Sequence, residues 1–487
     1  MVELRIYNSL SQRIEKFVPQ QTGRVKIYVC GMTVYDRCHI GHGRIMVWFD
    51  VVVRYLRSLG FNLQYVRNIT DIDDKIINRA YELGEGVDSL ANRYIELMHQ
   101  DERRLGVIAP DREPRVTQHI PAIIQMIQQL LESGHAYQGS SGDVYYKVAT
   151  FADYGRLAHQ DLASLQSGIR VDIDQAKSDP LDFVLWKSAK EGEPYWDAPW
   201  GAGRPGWHIE CSAMARHYLG DTLDIHGGGA DLQFPHHQNE IAQSEAVTGC
   251  PLANYWMHVG YVQRQHEKMS KSLHNFVLLN DVLEQYSAEV LRYLMLSSHY
   301  RSALNFSESG LVQAENSLRR LYLALRHLDG LVDSEGDATI DEIRSAQDWQ
   351  KLMSEPLLGG YAAAFQAAMA DDFNTPQALA VLFDLVKQCN QNIVKREMLV
   401  AGKLARGLRA LGGVLGLLQQ HPMAFLQSGV DHELVRQRLK ERSLARQNNN
   451  WQLADSIRSE LKSWGVELED RLDGSTEWFY MGGKNNE

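Results

Sequence analysis

Val25-Lys26-Ile27-Tyr28-Val29 alternates in the manner of a β-strand, and Cys30-Gly31-Met32-Thr33 breaks it. From His42 a mostly apolar helical pattern runs to Leu59 and stops at Gly60, a residue suited to a helix end. Asn62 to Val66 reads as the next strand. Strand, loop, helix and strand make a βαβ unit, so an α/β fold with a parallel sheet is expected. The broken segment after the first strand lies at its carboxyl end, where open α/β sheets bind their ligands.

Working outward, residues from about 85 to 200 read as an insertion, with a helical stretch at Ile120 to Leu131 and a short strand pair around Gly142-Asp143-Val144-Tyr145-Tyr146. A Gly/Pro/Trp-rich segment, Trp196 to Trp207, closes it. Strand and helix signals resume at Cys211 and run to about 280. Beyond about 310 the pattern is helical almost throughout, as in Leu311 to Leu328 and Ala378 to Val394. A last small unit from about 430 carries Arg436, Arg438, Lys440, Arg442 and Arg446. The domain limits drawn from these changes are 1–115, 116–205, 206–280, 281–310, 311–425 and 430–487.

The chain has 487 residues, 44% of them hydrophobic and 23% charged, the composition of a soluble globular protein. Its five cysteines are scattered and odd in number, which argues for a reducing compartment over a secreted disulfide framework. The N-terminus lacks a basic-then-apolar signal pattern, and the most apolar stretch, Ile45 to Val53, is too short to span a bilayer and contains Asp50. A cytoplasmic protein with no membrane partner is expected. A formal net charge of −11 argues weakly against nucleic acid as a partner, although local basic patches outweigh the total.

Three constellations carry chemistry. In Cys38-His39-Ile40-Gly41-His42-Gly43 two histidines stand three apart where a helix begins, and the glycines let a ligand approach the backbone. A helix N-terminus favours anions, so the site suits a triphosphate. Taken alone, the same residues also read as a capping histidine and a turn glycine. Glu267-Lys268-Met269-Ser270-Lys271-Ser272 places two lysines around small residues before a new helix, as a phosphate-closing loop or a solvated one would. Cys30, Cys211, His236 and Glu240 are possible metal ligands at the ends of elements, the last two on one helical face. This donor set suits zinc, but the spacing is not that of a zinc finger, and buried cysteines with a surface Glu would read the same way. Cys30, Cys38, His39 and His42 form a rival set, and His237 could replace His236.

The two short signatures, in this order and after a βαβ start, resemble those of class I aminoacyl-tRNA synthetases. Longer segments resemble the cysteinyl-tRNA synthetase family specifically: Tyr28 to Asp36, Asn68 to Lys75, Gly203 to Met214, His226 to Leu232, Phe234 to His237 and Asp371 to Pro376. The resemblance covers nearly the whole chain. It implies a Rossmann-type parallel-sheet catalytic domain split by an acceptor-end insertion, a stem-contact region, a helical bundle and a small C-terminal α+β anticodon-binding unit. It implies His39, His42, Lys268 and Lys271 as catalytic groups, with Gly41, His42 and Lys271 at ATP and Thr33, Thr70 and Trp207 at the amino acid. It also implies one zinc per chain on Cys30, Cys211, His236 and Glu240, with the substrate sulfur on the metal and Mg2+ accompanying ATP. The expected partners are ATP, L-cysteine and tRNA(Cys), and the expected state is a monomer. Trp451, Trp464 and Trp478 could stack on bases or form a small core.

The sequence departs from the family pattern at Gln238, where Glu is usual, and at His274, where Gly follows the lysine signature. Its tail, Gly474 to Trp478, has one extra residue. Three other readings share parts of these features: a ligase joining cysteine to an amino sugar, a non-catalytic tRNA-binding or regulatory relative, and a zinc-dependent structural scaffold. The C-terminal unit speaks against the first and the intact histidine and lysine signatures against the second.

Overall fold

The structure is a computed structural model that describes residues 3–159, 177–264, 267–269, 276–326, 342–471 and 474–481. Chain contacts divide it into two compact units: residues 1–288, 295–306 and 366–376, and residues 289–294, 307–365 and 377–487.

In the first unit, β1 (Arg5–Asn8) and β2 (Arg13–Lys16) form an antiparallel pair ahead of β3 (Arg24–Val29). α1 (Ile40–Ser58) connects β3 to β4 (Asn62–Arg67), which pair in parallel, as the βαβ reading expects. α1 buries most of its surface, including Val47, Phe49, Val51, Val52, Val53 and Leu56, because strands and helices cover it on several sides. Each such side chain contributes roughly 1.5–3 kcal/mol of burial. Its one buried acid, Asp50, accepts from Arg54 Nε and Ile108 N, both at 2.8 Å. α2 (Asp74–Leu83) and α3 (Val87–Leu105) follow, each ending on a left-handed glycine, Gly84 and Gly106.

The insertion holds α4 (Ile120–Glu132) and a four-stranded antiparallel sheet: β5 (Ala136–Gln138), β6 (Val144–Tyr146), β7 (Phe183–Ser188) and β8 (Gly203–Pro205). The sequence pattern indicated only its first hairpin. After the helix Trp207–Leu219 the chain returns to the parallel sheet with β9 (Leu223–Gly229), and then with β10 (Ala253–Val259). The sheet order is β10-β9-β3-β4, all parallel. The carboxyl ends of β3 and β9, where the connections diverge, meet around Cys30 and Gly227–Gly229. A three-stranded sheet, β12-β11-β13, follows from β11 (Val262–Arg264), β12 (Glu267–Lys268) and β13 (Leu304–Phe306).

The second unit is helical, with Glu308–Leu325, Ala346–Ser354, Met398–Val414, His432–Gln447 and Trp451–Ser463 among its helices. It ends in a hairpin of β14 (Val466–Asp470) and β15 (Thr476–Tyr480), which closes a small core of Val435, Ile457, Leu461, Val466, Leu468 and Trp478. Among the described residues no helix is long and apolar enough to cross a membrane.

Candidate active site and metal centre

Cys30 follows the last residue of β3, and Cys211 lies in the helix Trp207–Leu219. His236 lies in the irregular turn Gln233–His237, and Glu240 in the helix Gln238–Thr248 that continues it. All four side chains are buried, and one ligand atom from each lies within 4.8 Å of the others. Cys30 Sγ is 3.7 Å from Cys211 Sγ, 3.5 Å from His236 Nε2 and 3.3 Å from Glu240 Oε1. His236 Nε2 is 3.0 Å from that same oxygen. Zinc bonds of about 2.3 Å to sulfur and about 2.0–2.2 Å to nitrogen or oxygen, directed tetrahedrally, separate such ligands by roughly 3.3–3.8 Å. The four residues therefore fit zinc with only small adjustments.

The outer partners suit the same ion. His226 Nε2 donates to Glu240 Oε2 at 2.9 Å, fixing the carboxylate so that Oε1 faces the cysteines. His236 Nδ1 lies 3.0 Å from His208 Nδ1, which leaves Nε2 for the cluster. Burial opposes ionisation of both thiols, and one thiol proton is shared between them. Cys30 keeps it, pushed up by burial and by its Cys211 neighbour. Against the burial that would raise it, the Cys211 thiol is held down to about 6 by the bond from Cys30 and the charge of His236. Burial would also raise the Glu240 carboxyl, but His226 and His236 hold it well below the usual range. Burial would lower His236, yet Glu240 and Cys211 push it up to about 10. In this cluster the His236 imidazolium balances the Cys211 thiolate and the Glu240 carboxylate, and a metal ion could take its place as its proton is released.

The rival grouping of Cys30, Cys38, His39 and His42 does not assemble among the described residues. The Cys38 thiol meets Met32 Sδ at 3.5 Å, while both histidines cap α1. His237 Nε2 stands 4.0 Å from Glu240 Oε1, farther than His236, and its Nδ1 meets His258 Nε2 at 2.8 Å. A second group, Cys30, His226, His237 and Glu240, also falls within 4.8 Å, but it lacks the second thiolate. Gln238 sits apart from the ligands in function: its Oε1 accepts from Leu157 N at 2.9 Å, anchoring the insertion.

The capping reading of the histidine signature holds. His39 is the N-cap of α1, its Nδ1 accepting from Gly41 N and His42 N, and His42 Nδ1 accepts from His39 N. The two rings stack at 3.7 Å. Gly41 is required here, because a Cβ would lie 2.8 Å from the His39 ring. Two adjoining cavities share His42. One, of about 260 Å³, is lined by Cys30, Thr33, Tyr35, Lys75, Trp207 and Asp231 among others. The second, of about 210 Å³, is lined by His39, Gly41, Asp231, the strand-to-strand segment Val259–Val262, Met269 and Phe276. Gly31, on the wall of the first cavity, packs against the backbone of Asn68, where a Cβ would strike Asn68 O at 1.7 Å.

Trp207 begins its helix with the ring 4.3 Å from that of His236, on the wall of the first cavity. Thr33 lines that cavity, whereas Thr70 is buried and its hydroxyl donates to Glu210 Oε2 at 2.9 Å. The backbone of Lys268 lies in β12, opposite Gln263, and Lys271 and His274 fall outside the described residues. Sequence reasoning assigned no role to Asp231, His226, Tyr35 and Lys75. The signal for the first two was present in His226-Gly227-Gly228-Gly229-Ala230-Asp231, a glycine run at the carboxyl end of a buried strand.

Known proteins fit this geometry. Residues 16–316 match the model of the tRNA synthetases class I (C) catalytic domain, and residues 364–419 match the DALR domain. A cysteine–tRNA ligase of Thioalkalivibrio sulfidiphilus is 54% identical over 477 residues, covering 97% of this chain and 99% of the relative. The chain belongs to the cysteine–tRNA ligase family. A second member, from Methylococcus capsulatus, is 52% identical over 478 residues with the same coverages, 97% and 99%. The fold is also that of Mycobacterium tuberculosis methionyl-tRNA synthetase in complex with methionyl-adenylate. That match has a TM-score of 0.56 at 15% identity, covering 83% of this chain and 91% of the other.

In the C-terminal unit, the basic residues of this family member divide. Arg442 is buried and bidentate on Asp470 at 2.8 Å, Arg446 joins the same carboxylate at 2.9 Å, and Arg438 pairs with Glu441 and Glu460, each at 2.6 Å. These three hold the unit together. Trp478 belongs to its core and Trp464 packs on it, while Trp451 is 56% exposed.

Proposed function

We propose that the chain joins L-cysteine to its tRNA in two steps, with a zinc ion on Cys30, Cys211, His236 and Glu240 selecting the thiol. The cysteine carboxylate attacks the α-phosphorus of ATP, giving cysteinyl-adenylate and pyrophosphate. The terminal ribose hydroxyl of tRNA then attacks the acyl carbon and releases AMP.

The observation that carries this reading is the wall shared by the two cavities. His42 and Asp231 border both, Cys30 of the candidate metal set lines one beside Trp207, and the capped start of α1 lies in the other. An amino acid in the first and a nucleotide in the second would meet at His42, with the α-phosphate near the N-terminus of α1. That helix end favours the anion, and positioning with charge stabilisation is the main source of rate at phosphorus. Lys268 and Lys271 add point charges from the lysine signature, with Mg2+ carried in on ATP. Asp231 supplies a carboxylate between the cavities that can face the substrate ammonium. Trp207, its ring tilted against that of His236, covers the amino-acid side.

A bound zinc supplies a preference for thiolate over alcohol, which shape cannot supply, since near-isosteres differ by only ~1–3 kcal/mol in a fitted pocket. In this reading the insertion receives the acceptor end and residues 430–487 read the anticodon. Cysteine-dependent exchange of pyrophosphate into ATP tests the first step, and charging of tRNA(Cys) tests the second. Exchange with cysteine and none with serine is expected, falling steeply in His42→Ala. Exchange that is equal for serine would contradict the selection, and no exchange with cysteine would contradict the function.

A further inference from the structure

We propose that Asp372 is a positioning residue for the nucleotide cavity, holding its wall from a point some three hundred residues downstream of the histidine signature. This rests on the proposed function for what the cavity binds.

Asp372 occurs in Asp371-Asp372-Phe373-Asn374-Thr375, which the proposed chemistry leaves without a role. Asp372 and Phe373 both have positive φ, +55° and +51°, a conformation that costs free energy for any residue with a side chain. Such a turn persists only where its surroundings enforce it, and here they converge on one carboxylate. Asp372 Oδ1 accepts from Tyr7 N at 2.8 Å and from Tyr300 OH at 2.9 Å, and Oδ2 accepts from Arg301 Nε at 2.8 Å. The backbone adds Asp372 N to Arg5 O at 2.9 Å. The Phe373 ring meets Trp48 and Tyr55 of α1 edge-on.

The segment gripped by Asp372 is the one that shapes the cavity. Tyr300 O accepts from Gly260 N at 2.7 Å, and the Tyr300 ring stacks on Trp48 at 4.5 Å. Arg44 of α1, buried, donates through Nη2 to Ser302 O at 2.7 Å and through Nη1 to Gly260 O and Tyr261 O at 3.0 and 2.9 Å. Gly260 and Tyr261 line the nucleotide cavity and lead into β11, which pairs with β13 just after Arg301 and with β12 at Lys268. A continuous set of bonds thus runs from the Asp372 carboxylate to the junction of β10 and β11. Gly260 and Tyr261 do not line the amino-acid cavity. Loosening Asp372 should therefore move the ATP side selectively.

The test compares the full chain with Asp372→Asn and Arg301→Gln. Three quantities are read: ATP affinity by calorimetry without amino acid, the KM values for ATP and cysteine in pyrophosphate exchange, and the melting temperature. Each folded variant should lose about ten- to a hundredfold in kcat/KM for ATP, with weaker ATP binding, while the KM for cysteine stays within about twofold. The double variant should lose no more than Asp372→Asn alone, since both changes break one link. ATP dependence unchanged in both folded variants would overturn the proposal. So would equal loss towards ATP and cysteine, the mark of a purely structural role. A parent protein that binds ATP, weakly in the variants, but shows no cysteine-dependent exchange would leave the Asp372 assignment standing and remove the cysteine function. A parent that binds no ATP would overturn both.

Discussion

The first unit contains two clusters of potential metal ligands that look alike by proximity and differ in charge. Cys30, Cys211, His236 and Glu240 form one; His99, Glu102 and Glu113 form the other, also within 4.8 Å. In the second the cation is already present as a side chain. Arg67 Nη2 lies 2.5 Å from both Glu102 Oε1 and Glu113 Oε1, and His99 Nε2 lies 2.6 Å from Glu113 Oε2. The first cluster has no lysine or arginine among its members; its charges are those of Cys211, Glu240 and a protonated His236, which favours the charged forms of the other two as they favour its own. Proximity gathers ligands in both places. What separates them is the kind of internal cation: an imidazolium and a thiol can give up protons to an incoming metal, whereas a guanidinium cannot.

Substitutions should separate the two clusters further. The largest effect is expected from Cys211→Ala, which removes a thiolate from the first. Zinc affinity, read by chelator competition, should fall by more than the roughly ten- to hundredfold typical of an outer partner, and cysteine-dependent exchange should be lost. Zinc retained at parental affinity would break the comparison. Arg67→Met should act on stability instead, costing about 3–5 kcal/mol in denaturant unfolding, because it leaves Glu102 and Glu113 buried without their cation. Zinc content per folded chain should stay unchanged.

His226→Ala tests the outer partner of Glu240. A loss of about ten- to a hundredfold in zinc affinity is expected, and His226→Gln, which can still donate, should restore part of it. The smallest effect belongs to His99. Its bond to Glu113 raises its pKa above the usual value, outweighing the partial burial that lowers it. Its contribution to stability is therefore fully present below the unfolded value of about 6.5 and is lost as pH rises through the folded value. The stability difference between parent and His99→Ala should shrink from pH 6 to pH 9, within about 1 kcal/mol. A difference that grows with pH would show that the assigned protonation is wrong.

Much of the first cluster was legible because Cys30, His236 and Glu240 lie at or near the ends of elements, whereas Cys211 lies inside the helix Trp207–Leu219. Cys30 ends a strand with clear alternation, and His236 and Glu240 have helical spacing; the sequence left open whether Cys38 or His237 joined them. In the structure Cys38 turns toward Met32, and His237 turns Nδ1 toward His258 while still falling in a second group with Cys30, His226 and Glu240. The second cluster left no such trace. Arg67 and Glu113 lie on different segments, and nothing periodic links them. Asp372 was quoted only as part of a family-like motif, since its partners Tyr7, Tyr300 and Arg301 come from distant segments. The last strand of the insertion sheet, β8, is three residues long and includes glycine and proline, so alternation had little length in which to show.

Cobalt substitution tests most directly the claim that the first cluster selects cysteine through a metal. The cobalt-loaded protein should show a thiolate charge-transfer band from Cys30 and Cys211, and cysteine added without ATP should strengthen it, while serine at the same concentration should leave it flat. A band that is present but indifferent to cysteine, or that answers serine equally, would contradict the account.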